Sequence, residues 1–269
     1  MEKIKQEEFE RLVDYMRDHY GVNLEKKKAL VEGRLWSVIN QKGFDSLDGY
    51  LRHVAADASG AEAGTLVTRL TTNYTYFMRE DQHYKFLAEQ ALPPLIAGLR
   101  DKDLRIWSAG CSSGEEPYTI AMVIDALLGP AKTAWDAGIL ATDISPQMLR
   151  RANNAIYGEE QVKLLPPEWI GKYFIREGPD QYRVTEAIRR EVTLRPFNLM
   201  RKDLPFKKKF HIIFCRNVMI YFDKPTRNAL VSRFYDALAP GGYFFIGMSE
   251  TLTKGETPFH VVQPSIYQK

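Results

Sequence analysis

Along the first part of the chain, apolar residues return every three to four positions, the period of helices that bury one face. Phe9, Leu12, Val13 and Met16 form one such face, and Gly21 ends it. Leu30, Val31, Leu35, Val38 and Ile39 form a second, which ends near Gly43. Ser46 stands where an N-cap hydroxyl is wanted, ahead of a third face with Tyr50, Leu51 and Val54. Leu66, Val67 and Leu70 mark a fourth. Residues 1–79 therefore read as a helical N-terminal domain and a linker, without internal repeats or low-complexity runs.

The pattern changes near Arg105. Ile106 and Trp107 are strand formers, followed by the small-residue stretch Ser108–Gly114. Pro117 suits a first helical turn, and Ile120, Ala121, Val123, Ile124, Leu127 and Leu128 continue a helix that Gly129-Pro130 stops. Gly138–Asp143 is a second apolar strand, with Ser145 and Pro146 at the N-cap and first position of the next helix. Phe210–Cys215, a helix from Thr226 to Leu238, the turn Pro240-Gly241-Gly242, Tyr243–Ile246 and a final strand from Val261 to Tyr267 complete the series. Strands alternating with helices predict an α/β fold with a mainly parallel sheet over residues 80–269. Between about 168 and 196 the rhythm breaks. Lys172–Arg176, Gln181–Val184 and Glu191–Arg195 read as short strands around Gly178-Pro179-Asp180, a small antiparallel insertion.

Composition narrows the function classes. The 269 residues are 45% hydrophobic and 26% charged, with a net charge of +3. That balance is ordinary for a soluble domain and too weakly basic to argue for nucleic acid. No apolar run reaches the ~18 residues of a membrane span, and the N-terminus, Met1-Glu2-Lys3-Ile4-Lys5, is too polar for a signal peptide. Two cysteines, Cys111 and Cys215, fit a reducing cytoplasm. Five scattered histidines give no metal-ligand spacing.

A strand, glycine loop and helix is where open α/β sheets hold nucleotide-like ligands. Glu115 and Glu116 at the helix start also complement its dipole, and they occupy the place a phosphate would take. Neither the dinucleotide nor the P-loop glycine pattern is present. A ligand with a cationic end, such as S-adenosylmethionine, fits better. Asp143, at the end of the second strand, suits the two hydroxyls of a ribose. The aperiodic segment from Thr71 to Glu80 offers hydrogen bonds from Asn73 and Thr75 and a cation from Arg79, and reads equally as a capping segment. Lys26, Lys27, Lys28 and Arg34 place positive charge on the second helix, either as a solvated face or as a dock for an acidic partner.

Four stretches in order, Thr72-Asn73-x-Thr75-x-Phe77-x-Arg79-Glu80, Ser108–Tyr118, Ala141–Ile144 and Phe214–Asp223, resemble the chemotaxis receptor methyltransferase family, CheR. The resemblance covers nearly the whole chain. It implies a helical domain, a Rossmann-like methyltransferase sheet and a β-subdomain. It further implies a protein-glutamate O-methyltransferase that uses S-adenosyl-L-methionine, leaves S-adenosyl-L-homocysteine, and acts on chemoreceptor cytoplasmic helices. Carried over, the cofactor contacts are Asn73, Thr75, Arg79, Glu116, Asp143, Asn198, Leu199, Arg216 and Asn217. Asp143 would hold the ribose, Glu116 would face the methionine end, and Arg79 and Tyr221 would stand near the transferring methyl.

Three departures stand out. Met78 replaces a second phenylalanine of the linker motif, and the second helix has fewer arginines than some members. The turn around Gly178-Pro179 is short, whereas members that bind a receptor's C-terminal pentapeptide tether have a longer one. Two other readings stay open. One is methyl transfer to RNA or a small molecule, because the cofactor half is widely shared. The other is a non-catalytic module that senses S-adenosylmethionine or scaffolds receptors. Such a module would keep Asp143 and Glu116 without needing Arg79 or Tyr221.

Overall fold

A computed structural model of the chain describes residues 4–253 and 255–269; Met1-Glu2-Lys3 of the polar N-terminus lie outside the described residues. The helical faces read from the sequence become α1 Gln6–Tyr20, α2 Lys28–Gln41, α3 Leu47–Ala56 and α4 Ala61–Leu70. Gly21, at φ 71°, closes α1 in the left-handed region, and the Ser46 hydroxyl accepts the Gly49 N–H at the start of α3. Leu12, Met16, Val31, Leu35, Leu47, Tyr50 and Leu66 meet in one core. Tyr221, Phe222 and Ile144 of the following domain pack against that core. Helix α4 lies close on the second domain because Gly64 has no side chain; a Cβ there would stand 2.3 Å from Pro146 Cδ.

After the linker, α5 Gln82–Phe86 runs through one π turn, Leu87–Ala91, into α6 Leu92–Gly98. The α/β part then unfolds as β1 Ile106–Ala109, α7 Glu115–Leu128, β2 Ile139–Asp143 and α8 Pro146–Asn154. A subdomain follows: β3 Ile156–Gly158, α9 Glu159–Val162, α10 Pro167–Tyr173, β4 Phe174–Arg176, β5 Gln181–Val184 and α11 Glu186–Arg189. The chain ends with β6 Val192–Pro196, β7 Phe210–Cys215, α12 Lys224–Ala237, β8 Leu238–Ile246, β9 His260–Gln263 and β10 Ile266–Gln268.

Seven strands form the main sheet in the order β6-β2-β1-β7-β8-β10-β9. The strands from β6 to β8 are parallel, and β10 and β9 add an antiparallel edge. The chain leaves β1 towards β2 on one side and later returns to pair β7 on the other. The carboxyl ends of β1, β2 and β7 thus flank a topological switch point, where such sheets bind ligands.

Three expectations need correction. The antiparallel insertion is a three-stranded sheet, β3-β5-β4, and it begins at Ile156 rather than near 168. The segment read as its third strand, Glu191–Arg195, joins the main sheet instead, as β6 beside β2, with Ala141 opposite Leu194. The final segment from Val261 to Tyr267 is a hairpin, β9 and β10, turned at Pro264-Ser265 where Ser265 takes a φ of 62°. Among the described residues, no helix is long and apolar enough to cross a membrane.

Candidate active site

The glycine loop is built by backbone bonds to the neighbouring strand. Gly110 and Cys111 N–H both donate to the Thr142 carbonyl, at 2.8 and 2.9 Å. Gly110 has φ 93°, and a Cβ there would meet Val218 Cγ2 at 2.5 Å, so conformation and close approach both require glycine. The Asp143 carboxylate receives Ser112 N–H on one oxygen and Ser145 N–H on the other, each at 2.8 Å. It is 8% exposed. Burial pushes its carboxyl above the ordinary value, while N–H groups of Ser145, Ser112 and Ile144 favour the ionised form.

The two glutamates that open α7 have separate tasks. Glu115 is fully buried and accepts from the Ser113 hydroxyl at 2.7 Å and from Gln161 Nε2 at 3.1 Å, which ties the loop to the β-subdomain. Glu116 faces a cavity. Its Oε1 accepts from the Ser108 hydroxyl at 2.7 Å, and its Oε2 accepts from Arg216 Nη1 at 3.1 Å. Arg216, at the end of β7, also donates to the Tyr84 hydroxyl at 2.9 Å, to the Glu80 carboxylate at 3.2–3.3 Å, and to the Arg79 carbonyl. Burial pushes Glu116 up, against the pull of Arg216 and Ser108. Burial acts the same way on Glu80, but Arg216 and Asn217 outweigh it and hold that carboxyl below its ordinary value. Asn217, at φ 58°, donates its N–H to buried Glu250 at 2.8 Å and its Nδ2 to Glu80 at 3.3 Å.

The linker from Thr71 to Met78 has no regular secondary structure, so side chains hold it. Asn73 Nδ2 donates to the Thr68 carbonyl at 3.0 Å, and the Ser112 hydroxyl donates to the Asn73 carbonyl at 3.3 Å. Arg79 Nη1 donates to the Tyr74 carbonyl at 2.5 Å. Tyr221 uses its hydroxyl on the linker, accepting from Thr72 N–H and donating to the Thr72 carbonyl, both at 3.0 Å. Asn198 donates to the His19 carbonyl at the end of α1 and accepts from Met200 N–H, so its amide fixes the loop carrying Leu199.

These pieces enclose a cavity of about 460 Å³. Asn73, Thr75, Arg79, Glu116, Asp143, Asn198, Leu199, Arg216, Asn217 and Tyr221 all line it, although they come from stretches spread from 73 to 221. The size suits a nucleoside-like molecule. The polar lining combines two carboxylates with backbone groups of a glycine loop, and apolar walls come from Ile144, Phe197 and Val218. Such a set fits a cofactor with an adenosine body and a cationic tail. Sequence reading quoted Glu80 only within the linker motif and gave no role to it, to Tyr84 or to Glu250, yet these three brace Arg216 and Asn217. Spacing alone could not reveal this bracing, because Arg216 and Glu80 are 136 positions apart.

Comparison with known proteins identifies the family. The model of the CheR methyltransferase SAM-binding domain matches residues 73–267, and that of the CheR all-alpha domain matches residues 7–71. A chemotaxis protein methyltransferase of Borreliella burgdorferi is 40% identical, over 99% of this chain and 95% of its own. One from Escherichia coli is 34% identical, over 96% of this chain and 89% of its own. The chain belongs to the CheR methyltransferase family, S-adenosylmethionine-dependent methyltransferases of chemotaxis.

Proposed function

We propose that this chain methylates glutamate side chains on chemoreceptor cytoplasmic helices, giving methyl esters and S-adenosylhomocysteine. One observation carries the reading. Among the described residues, the cavity wall holds carboxylates and arginines but neither histidine nor lysine, and its one thiol, Cys111, is pushed well above its ordinary value by burial. Its two carboxylates, Glu116 and Asp143, are engaged by Ser108, Arg216 and backbone N–H groups and are assigned here to the cofactor, which leaves no histidine or lysine to serve as general base. A glutamate needs none, because its carboxylate is ionised at neutral pH with a reference pKa of about 4.3.

When bound, the cofactor supplies an electrophilic methyl group on a sulfonium. In this reading Asp143 binds the ribose hydroxyls with whatever acceptor capacity its two backbone bonds leave. Glu116, fixed by Ser108 and Arg216, takes the ammonium of the methionine end. Asn73, Thr75, Asn198, Leu199, Arg216 and Asn217 complete the wall. Arg79 spends one guanidinium nitrogen on Tyr74, and the others remain for orienting the incoming carboxylate. Tyr221 works through the linker, since both hydrogen-bonding roles of its hydroxyl are used on Thr72. The residues supply alignment and water exclusion. A tight grip on the nucleophile would stabilise the ground state and slow transfer.

The test is incubation with methyl-labelled cofactor and receptor cytoplasmic fragments. Label that appears on the fragments and leaves as methanol in mild alkali supports the reading. Alkali-stable label, or label on other acceptors only, overturns it.

A further inference from the structure

Arg34 lies on α2, among the basic residues that the sequence offers as a docking face. Its guanidinium is directed inward. Nη1 donates to the carbonyls of Thr71 at 2.9 Å and Arg69 at 3.3 Å, and Nη2 reaches Thr72 Oγ1 at 3.4 Å. Arg69 and Thr71 lie at the carboxyl end of α4, where unpaired carbonyls and the helix dipole favour a cation. The Tyr221 hydroxyl also closes on the Thr72 N–H and carbonyl, both at 3.0 Å. Lys27 Nζ sits 5.6 Å above the Tyr221 ring, so α2 supports both halves of this arrangement.

We infer that Arg34 is a positioning residue for the cofactor site, one jaw of an Arg34–Tyr221 clamp that fixes Thr71 and Thr72 and thereby sets Asn73 and Thr75 in the cavity wall. The physical reason is the missing backbone ladder. The segment after α4 has no helical or strand bonds of its own until Phe77, so its position depends on the groups that grip it. Thr71, Thr72, Asn73, Thr75 and Tyr221 all line the cavity. A displacement at Thr72 therefore moves the wall. The helical domain contributes to cofactor binding through this contact even without a receptor present.

The inference separates Arg34 from its lysine neighbours. Lys28 bonds Gln6 and lies over the Phe9 ring, away from the linker, and serves as the control. The experiment is calorimetric titration of S-adenosylhomocysteine into the unmodified full chain and into Arg34→Gln, Arg34→Lys and Lys28→Gln, without receptor. The thermal midpoint of each variant is recorded alongside.

Arg34→Gln is expected to weaken binding roughly tenfold, equivalent to about 1.4 kcal/mol. Arg34→Lys, which keeps the charge but loses the forked geometry, should fall between. Lys28→Gln should leave affinity unchanged. Unchanged affinity in a folded Arg34→Gln protein overturns the clamp, and a drop in receptor methylation alone would then mark Arg34 as a docking residue. A loss of affinity that only follows the unfolded fraction overturns it as well. If Arg34→Gln fails to fold, Tyr221→Phe opens the other jaw and must weaken binding in the folded state. The proposed glutamate substrate plays no part in this measurement, so the two readings fail separately.

Discussion

Arg216 Nη1 stands 3.1 Å from Glu116 Oε2 in the cavity wall, and the arginine side chain is only 2% exposed. The same guanidinium serves Glu80 at 3.2 Å. One buried cation thus compensates two partly buried carboxylates, and the remaining negative charge faces a site suited to a cationic ligand. Arg216→Met leaves both acids unpaired and should destabilise the protein by about 3–5 kcal/mol at neutral pH. Burial already holds the Glu116 carboxyl above its ordinary value, and loss of the arginine's charge should raise it further, so the penalty is present at neutral pH and eases as pH falls. Adding Glu80→Gln should recover part of the loss, a coupling that a double-mutant cycle reads directly. Urea melts at pH 7 showing Arg216→Met as stable as the parent would rule the account out.

A second expectation concerns Asp143. Its two oxygens already receive Ser112 and Ser145 N–H, so it shapes the glycine loop as well as facing the cavity. Asp143→Asn changes little volume but removes the charge and turns an amide donor towards a backbone N–H. Cofactor affinity should fall by about 1–3 kcal/mol. Calorimetry returning the parent affinity would remove Asp143 from the binding site.

How much of this was legible beforehand depends on the range of the interaction. The loop at Gly110–Glu116, the caps at Ser46 and Ser145 and the stop at Gly21 rest on local chemistry, and the structure has them where the sequence placed them. Asn73, Thr75, Arg79, Glu116 and Asp143 were legible because they stand in the aperiodic linker, at the start of the helix after the glycine loop and at a strand end, whereas Asn198, Leu199, Arg216, Asn217 and Tyr221 came only through the family resemblance. The destination of Val192–Pro196 was not, because a short, partly exposed run looks alike whether it pairs with Val184 or with β2. Three-residue β3 has too few positions to show a period. Nor did any spacing show that the Tyr221 hydroxyl is spent on Thr72, 149 positions away.

The third prediction follows from His83, which is 1% exposed and bonds the Ser265 hydroxyl through Nε2 at 2.6 Å. Its Nδ1 is buried without a hydrogen-bond partner among the described residues, 3.5 Å from Glu80. Burial, helped by Arg216 and opposed by Glu80, lowers its pKa from 6.5 to about 4. The folded state therefore keeps His83 neutral where the unfolded chain takes a proton. The contribution is complete above pH 6.5 and is lost as pH falls towards 4, up to about 3 kcal/mol. His83→Gln, which retains a donor for Ser265, should flatten the stability profile across that window. Parallel profiles for the two proteins between pH 7 and 4.5 would contradict it.

The last prediction concerns docking, and it rests on the proposed receptor substrate, whose target helices are rich in glutamate. With Arg34 turned inward and Lys27 placed over Tyr221, the charges left to meet a partner at the start of α2 are Lys26, which is exposed, and Lys28, whose Nζ bonds the Gln6 side chain above the Phe9 ring. Such charges accelerate encounter more than they set final affinity. Reversing both, Lys26→Glu with Lys28→Glu, takes the net charge from +3 to −1, two units for each change. The apparent second-order rate of receptor methylation should fall at low salt. The difference should fade as salt rises, because exposed charges are screened over ~8 Å at physiological ionic strength. Cofactor affinity should stay at the parent value, since neither lysine touches the linker or the cavity wall. Equal methylation rates for the reversed and unmodified proteins at low ionic strength would leave the basic start of α2 without a docking role.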